Sequence, residues 1–217
     1  MFSEMSSMFV QSFWETLVMV GISGLLGALA GLPLGVLLFL TDRGGVLQSV
    51  AANRAMGLTV NAVRSTPFII LLVAVIPFTR AIVGTSIGTA AAVVPLTIAA
   101  APFIARLVET ALREVDRGLI ETAEALGATT RQIVFKVLLP EALPGIVAGL
   151  TITFVSLVGY SAMAGAIGGG GLGDLGIRYG YQRFLPEVMA IVVVILIVFV
   201  QLVQSFGDWL VRRLSHR

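Results

Sequence analysis

Cysteine is absent from the 217 residues, and histidine occurs once, as His216. Without thiols, neither a disulfide nor a thiolate metal site can form. One histidine and no cluster of carboxylates leave a metal centre without ligands. Lysine is also nearly missing: Lys136 is the only one, and no G-x-x-x-x-G-K-[ST] run exists, so the glycine-rich GGGGLGDLG at 168–176 is not a Walker loop. Charged residues make up 12% of the chain against 57% hydrophobic ones, with a mean hydropathy of +1.00. Soluble domains carry about 25% charge, so this composition belongs to an integral membrane protein. At roughly 20 apolar residues per span, the length allows about five or six spans and no sizeable soluble domain. The opening MFSEMSSMFVQSFWE lacks the basic start of a signal peptide and is expected to be retained.

What is present is a series of apolar runs with few interruptions. The first span is expected at about 17–40, where Gly27, Gly31 and Gly35 repeat at four-residue spacing and predict a face for close helix packing, with a bend at Pro33. A polar connection at 42–54 leads to a second span at about 61–78, opened by Arg64-Ser65-Thr66-Pro67. Arg64 is expected to snorkel to the nearer interface, because an intramembrane arginine is costly. The third span, about 89–107, holds Pro95 and Pro102 on one face and should kink, with Arg106 and Glu109 pairing at its end. The fourth runs from Pro144-Gly145 to about 167, and its glycine-rich sequel should not be regular helix. The fifth is expected at about 188–206.

Between spans three and four lies a stretch unlike membrane, DRGLIETAEALGATTRQIVFKVLLP, residues 116–140. Asp116 is placed to cap a short helix, and Gly127 to end it in the left-handed conformation. Thr129 and Gln132 have the spacing of a capping box, which predicts a second helix running toward Pro140. On the first helix Leu119, Ile120, Ala123 and Leu126 fall on one face, expected against the protein's own helices, while Arg117, Glu121, Glu124 and Ala128 fall on the other. An interfacial helix without a partner has a similar pattern.

The spacing Glu121-x-Ala123, three residues, Gly127, eleven residues, Leu139-Pro140 resembles the EAA loop of the permeases of binding-protein-dependent (type I) ABC importers. Thr122 and Val137 depart from that signature, where alanine and isoleucine are usual. The placement of Arg64-Ser65-Thr66-Pro67 is also typical of such permeases. The segments VGTSIGTAAAVVPLTIAAAPFIARLVE (83–109) and LVGYSAMAGAIGGGGLGDLGIRYGY (157–181) are similar to the methionine-uptake permeases of this family. The resemblance implies one permease domain over residues 1–217 with a cytoplasmic coupling loop at about 109–140. It also implies a homodimer of five-span subunits, two cytoplasmic ATPase subunits that bind the ATP, and a substrate-binding lipoprotein delivering methionine at the outer face of a bacterial inner membrane. Arg117, Glu121, Ala123, Glu124, Gly127, Leu139 and Pro140 are then the coupling residues. The chain itself would be no enzyme and hold no cofactor or nucleic acid, its other contact being membrane lipid. A permease of the same family for another small amino acid fits the same motifs.

Charge distribution sets the orientation. With the C-terminus inside, Arg43, Arg54, Arg64, Arg106, Arg113, Arg117, Arg131, Lys136, Arg212, Arg213 and Arg217 are cytoplasmic, eleven of fourteen basic residues; Arg80, Arg178 and Arg183 are outside. The N-terminus is then external. An ion-coupled secondary transporter would need intramembrane acids, yet Glu15, Asp42, Glu109, Glu141, Asp174, Glu187 and Asp208 all flank the expected spans. Gly159-Tyr160-Ser161 superficially resembles a protease nucleophile, but Ser161 has no base within reach, since His216 stands in the opposite tail. On span four Gly149, Thr153, Ser156, Tyr160 and Met163 recur on one face, a small and weakly polar stripe. With Ser161 beside it, the stripe is the expected translocation path; helix packing by small residues fits the same spacing.

Overall fold

The computed structural model describes residues 2–215, with side chains from Met5 onward; His216 and Arg217 lie outside the described residues. The described chain folds as α1 (Phe2–Thr41), α2 (Val50–Ser65), α3 (Phe68–Ala74), α4 (Ile76–Val83), α5 (Thr89–Arg113), α6 (Arg117–Ala125), α7 (Thr130–Ile133), α8 (Leu139–Ala164), α9 (Gly171–Leu175) and α10 (Pro186–Leu214). Wide π-type turns occupy Val134–Leu138, Gly165–Gly169 and Gly176–Tyr181. Among the described residues four helical runs are long and apolar enough to cross a bilayer, Met5–Thr41, Thr89–Arg113, Thr130–Gly169 and Pro186–Leu214, and the bent pair α2/α3 makes a fifth if it counts as one span. The all-α polytopic fold expected from composition is present.

The helices run past several of the expected span ends, α5 to Arg113 and α10 to Leu214 among them, and three differences change the shape of the bundle. The first helix starts some fifteen residues early, at Phe2. Its opening is too polar to be read as a span but buries Met5, Met8, Phe9 and Phe13 against Leu172, Leu175, Val188 and Val192. The second span is not one rod: α2 and α3 meet at 105°. Pro67 drives Thr66 to extended backbone (ψ 124°), and a second break at Val75 starts α4. The glycine-rich stretch is less irregular than expected, since Gly171–Leu175 forms a helical turn that buries Leu172 and Leu175.

The core is built on α1 and α5. A Cβ at Gly27 would come within 2.7 Å of Ala100 Cβ, at Gly31 within 2.5 Å of the Ala101 carbonyl, and at Gly35 within 2.5 Å of the Ala105 carbonyl. Only glycine permits this approach, and the ascending pairs make the two helices parallel. On the other side Gly145 faces Ala111 and Gly149 faces Leu107, so α8 runs antiparallel to α5. Leu96, Ile104, Leu112, Leu138 and Leu157 fill the centre. Both α1 and α5 continue unbroken through Pro33, Pro95 and Pro102. The exposed hydrophobics of α10, including Val194, Ile197, Val198 and Leu202, form a broad outward face, as expected where lipid is the solvent.

Candidate functional site

The segment after α5 folds by its own local chemistry. Asp116 Oδ1 accepts the Gly118 N–H at 2.7 Å and starts α6. At the other end Gly127 takes φ +76°, and the Ala128 N–H donates to the Ala123 carbonyl at 3.0 Å while Gly127 N–H donates to Glu124. This is a Schellman-type stop, and it demands a residue tolerant of the left-handed region. Thr129 and Gln132 form the capping box, with the Thr129 N–H donating to Gln132 Oε1 at 2.8 Å and the Gln132 N–H donating to Thr129 Oγ1 at 3.4 Å. Three successive caps thus hold α6 and α7 as a rigid corner.

The faces of α6 are distributed differently from the helical-wheel expectation. Ile120, Ala123 and also Ala128 pack on the core. Leu119 is 44% exposed and Leu126 83% exposed, so neither rests on the protein's own helices. The periodicity misleads because the left-handed turn swings Ala128 back inward. Outward, α6 presents Arg117, Glu121 and Glu124 with the two exposed leucines among them.

The second helix of the corner does not end at Pro140. It continues through the wide turn at Val134–Leu138, where the Leu139 N–H reaches back to the Val134 carbonyl, into α8. Proline at the first turn of α8 lacks only a donor that the widened turn does not need. Leu139 is half-buried against the core and Pro140 is exposed. The result is one helical run from Thr130 to Gly169 that carries the corner at one end and the expected path residues at the other.

Along α8 those path residues separate. Thr153 is buried and donates to the Gly149 carbonyl at 2.9 Å. Ser161 is buried and donates to Val158 at 2.7 Å. Ser156 is half-buried, its hydroxyl on Ile152. Tyr160 stacks on Phe68 of α3, ring centroids 4.6 Å apart and nearly parallel at 10°. Met163 is 47% exposed, and with Ile152 and the open Gly159 it marks a face of α8 left uncovered by the described residues.

One constellation escapes sequence reading. Glu109, 2% exposed, accepts from Arg106 and from Arg113, both at 2.6 Å. Arg113 also reaches Asp42 at 2.8 Å, and Arg106 reaches Asn61 at 2.9 Å. The Arg106 pairing follows from i, i+3 spacing, but Asp42 arrives from the α1–α2 connection and Asn61 from α2, and neither has a local signal. Beside this network a cleft of about 330 Å³ separates α6 from the α1–α2 connection, with Asp42, Arg113, Arg117 and Glu121 on its walls.

At the opposite end the glycine-rich stretch is tied to α1. Glu15 Oε2 accepts the Gly171 N–H at 2.7 Å, and Thr16 Oγ1 accepts the Leu172 N–H at 2.9 Å. Gly168, Gly170 and Gly171 all have positive φ.

This architecture recurs in known proteins. The chain is similar to the probable D-methionine transport system permease protein MetI of Vibrio cholerae, 57% identical over 98% of this chain and 94% of that one. It is 60% identical to the D-methionine transport system permease protein MetI of Escherichia coli K12, over 72% of each. The fold superposes on the MetNI methionine ABC transporter in inward-facing conformations with a TM-score of 0.97 at 54% identity, covering 98% of this chain and 99% of the solved one. A crystal structure of an amino acid ABC transporter with histidines shares the fold alone, at a TM-score of 0.80 and 21% identity over 98% of this chain and 96% of that one. Residues 27–216 match the sequence model of the binding-protein-dependent transport system inner membrane component. The capped corner on a bundle of bilayer-length helices therefore belongs to a multi-pass inner-membrane protein, and the chain is a member of the family of binding-protein-dependent transport system inner membrane components.

Proposed function

We propose that this chain is the permease subunit of an ATP-driven importer for methionine, acting as one domain, pairing with a second copy and working by alternating access. The reading is carried by the corner at α6 and α7: an exposed, charged helix locked by three caps onto a single helical run that reaches the far side of the bundle. A push on α6 from an ATPase subunit would be passed along that run, since the capped turn has no soft joint. Arg117, Glu121 and Glu124 orient the docked subunit, and Leu126 supplies the apolar contact. Gly127 sets the corner, Ala123 ties α6 to the core, and Leu139-Pro140 begins the helix that moves. The uncovered face of α8, with Met163 at its outer end, would meet its counterpart in the second copy and constrict the path. Thr153 and Ser161 stabilise that helix from within. A substrate-binding lipoprotein would deliver methionine at the end of the bundle that holds the glycine-rich stretch.

The orientation follows from the basic-residue asymmetry, with α6 and the C-terminus in the cytoplasm. Single cysteines in this thiol-free chain test it: Ser6→Cys should label from outside and Ser215→Cys only after permeabilisation, and the reverse pattern sinks the assignment. The import reading is tested by uptake of labelled methionine into proteoliposomes holding the complete transporter, with and without ATP and against competing amino acids. Uptake that another small amino acid outcompetes moves the substrate within the family. Uptake driven by an ion gradient without ATP overturns the reading.

A further inference from the structure

Glu109 is the one charged residue buried among the described residues, and the coupling scheme gives it no part. A buried carboxylate is disfavoured unless paired, and its two partners reach beyond α5. Arg106, Glu109 and Arg113 share one stripe of that helix at i, i+3, i+7. The Arg106 guanidinium is forked: Nη1 donates to Glu109 Oε2 at 2.6 Å and Nη2 to Asn61 Oδ1 at 2.9 Å. The second bond leaves α5 and ends on α2. Little else holds α2 in place. Of its sixteen residues only Val60 is buried, against Leu38 of α1 and Ala105 of α5. Its first turn is tied to α1 by the Asn53 amide, which donates to the Leu38 carbonyl at 2.7 Å. With so small an apolar grip, one charge-assisted bond is a sizeable share of what sets α2 against α5. Both ends of this link adjoin parts already placed. α5 ends at Arg113, three residues before α6 begins at Arg117, and α2 passes through the Pro67 bend into α3, whose Phe68 stacks on Tyr160 of α8.

Resting on the import reading above, we infer that Arg106, held in its forked pose by the buried Glu109, is a positioning residue that makes α2 and α3 follow α5 when α6 is pushed. The corner drives α8 directly, and the Arg106 fork carries the same displacement to the ring that faces Tyr160. Lysine could neutralise Glu109, but a single point charge does not hold Glu109 and Asn61 together as a planar fork does.

The purified complete transporter in proteoliposomes tests this through two readouts, ATP hydrolysed per methionine imported and Tm. Asn61→Ala removes an exposed acceptor and leaves Glu109 with both arginines, while Arg106→Lys keeps a charge beside Glu109 and loses the fork. Each should raise the ATP used per methionine roughly three- to tenfold, the weight of one hydrogen bond, with Tm close to that of the parent. The double variant should do no worse than either single one, since both cut the same link. Asn61→Asp, which restores an acceptor for Arg106, should stay near the parent ratio. A network that only stabilises the fold would lower Tm and leave the ratio unchanged, and that result overturns the inference, as do effects that multiply in the double variant. If Arg106→Lys does not fold, Asn61→Ala against Asn61→Asp decides: a raised ratio in the alanine variant alone supports the link, and equal ratios overturn it. A parent transporter without ATP-dependent methionine uptake overturns the import reading and the link with it.

Discussion

The two glycine-marked turns of this protein, Gly127 in the α6–α7 corner and the run at 168–176, are held in opposite ways. Around Gly127 nothing lies within 4 Å of where a Cβ would be, and the turn is defined by Asp116, Thr129, Gln132 and backbone bonds a few residues away. Around Gly173 and Gly171 the chain is crowded by Ala162, Met19 and Thr16, and the closing hydrogen bonds come from Glu15 and Thr16, 156 residues distant. The first turn is exposed, and the proposed coupling role would have a partner reach it there. The second is buried because its backbone donors, turned out of regular helix by the glycines, are satisfied by Glu15 and Thr16 of α1.

Substitutions can break this contrast, and the largest effect belongs to the buried turn. Gly173→Val would drive a branched side chain into the Ala162 backbone, so the variant should fail to yield a monodisperse chain on size exclusion. At the exposed turn, Gly127→Val has space but the wrong backbone, a cost of about 1–2 kcal/mol or more for a left-handed residue. The chain should remain in the membrane while uptake and ATPase association fall roughly five- to thirtyfold; a variant that fails to fold would show that the corner is tied to the core more tightly than its surroundings indicate. Charge reversal, Glu121→Arg, should weaken ATPase association several-fold, most at low salt, with thermal stability unchanged. At the buried turn Glu15→Gln keeps an acceptor for the Gly171 N–H but removes its charge, and should lower Tm by the few degrees that about 1 kcal/mol represents. The smallest effect is expected from Met163→Ala, half exposed on the open face of α8. It should change the uptake rate without altering Tm, and unchanged uptake together with unchanged ATPase activity would remove Met163 from the path.

The corner was legible in the sequence because its information is local. Asp116, Gly127 and the Thr129/Gln132 pair each act on backbone groups within five residues, so spacing alone predicts the geometry that the structure shows. The helical wheel placed Ile120 and Ala123 correctly on the inner face and Leu119 and Leu126 wrongly, since periodicity records apolarity and not which apolar residues find a neighbour. The 105° bend was signalled by Pro67, but proline marks where a helix can break without stating the angle.

By itself the sequence determined that this is an all-helical membrane protein, where its charged corner lies, and the family to which it belongs, because hydropathy, capping and motif spacing are properties of short stretches. Only the tertiary structure decided that Asp42 and Asn61 join Arg113, Arg106 and Glu109, that Glu15 and Thr16 close the glycine-rich turn, and that the corner and the proposed path residues share one helical run. Those pairings depend on which helices pack side by side. That choice is made by close glycine contacts and buried volume across the bundle, quantities that no window of sequence contains.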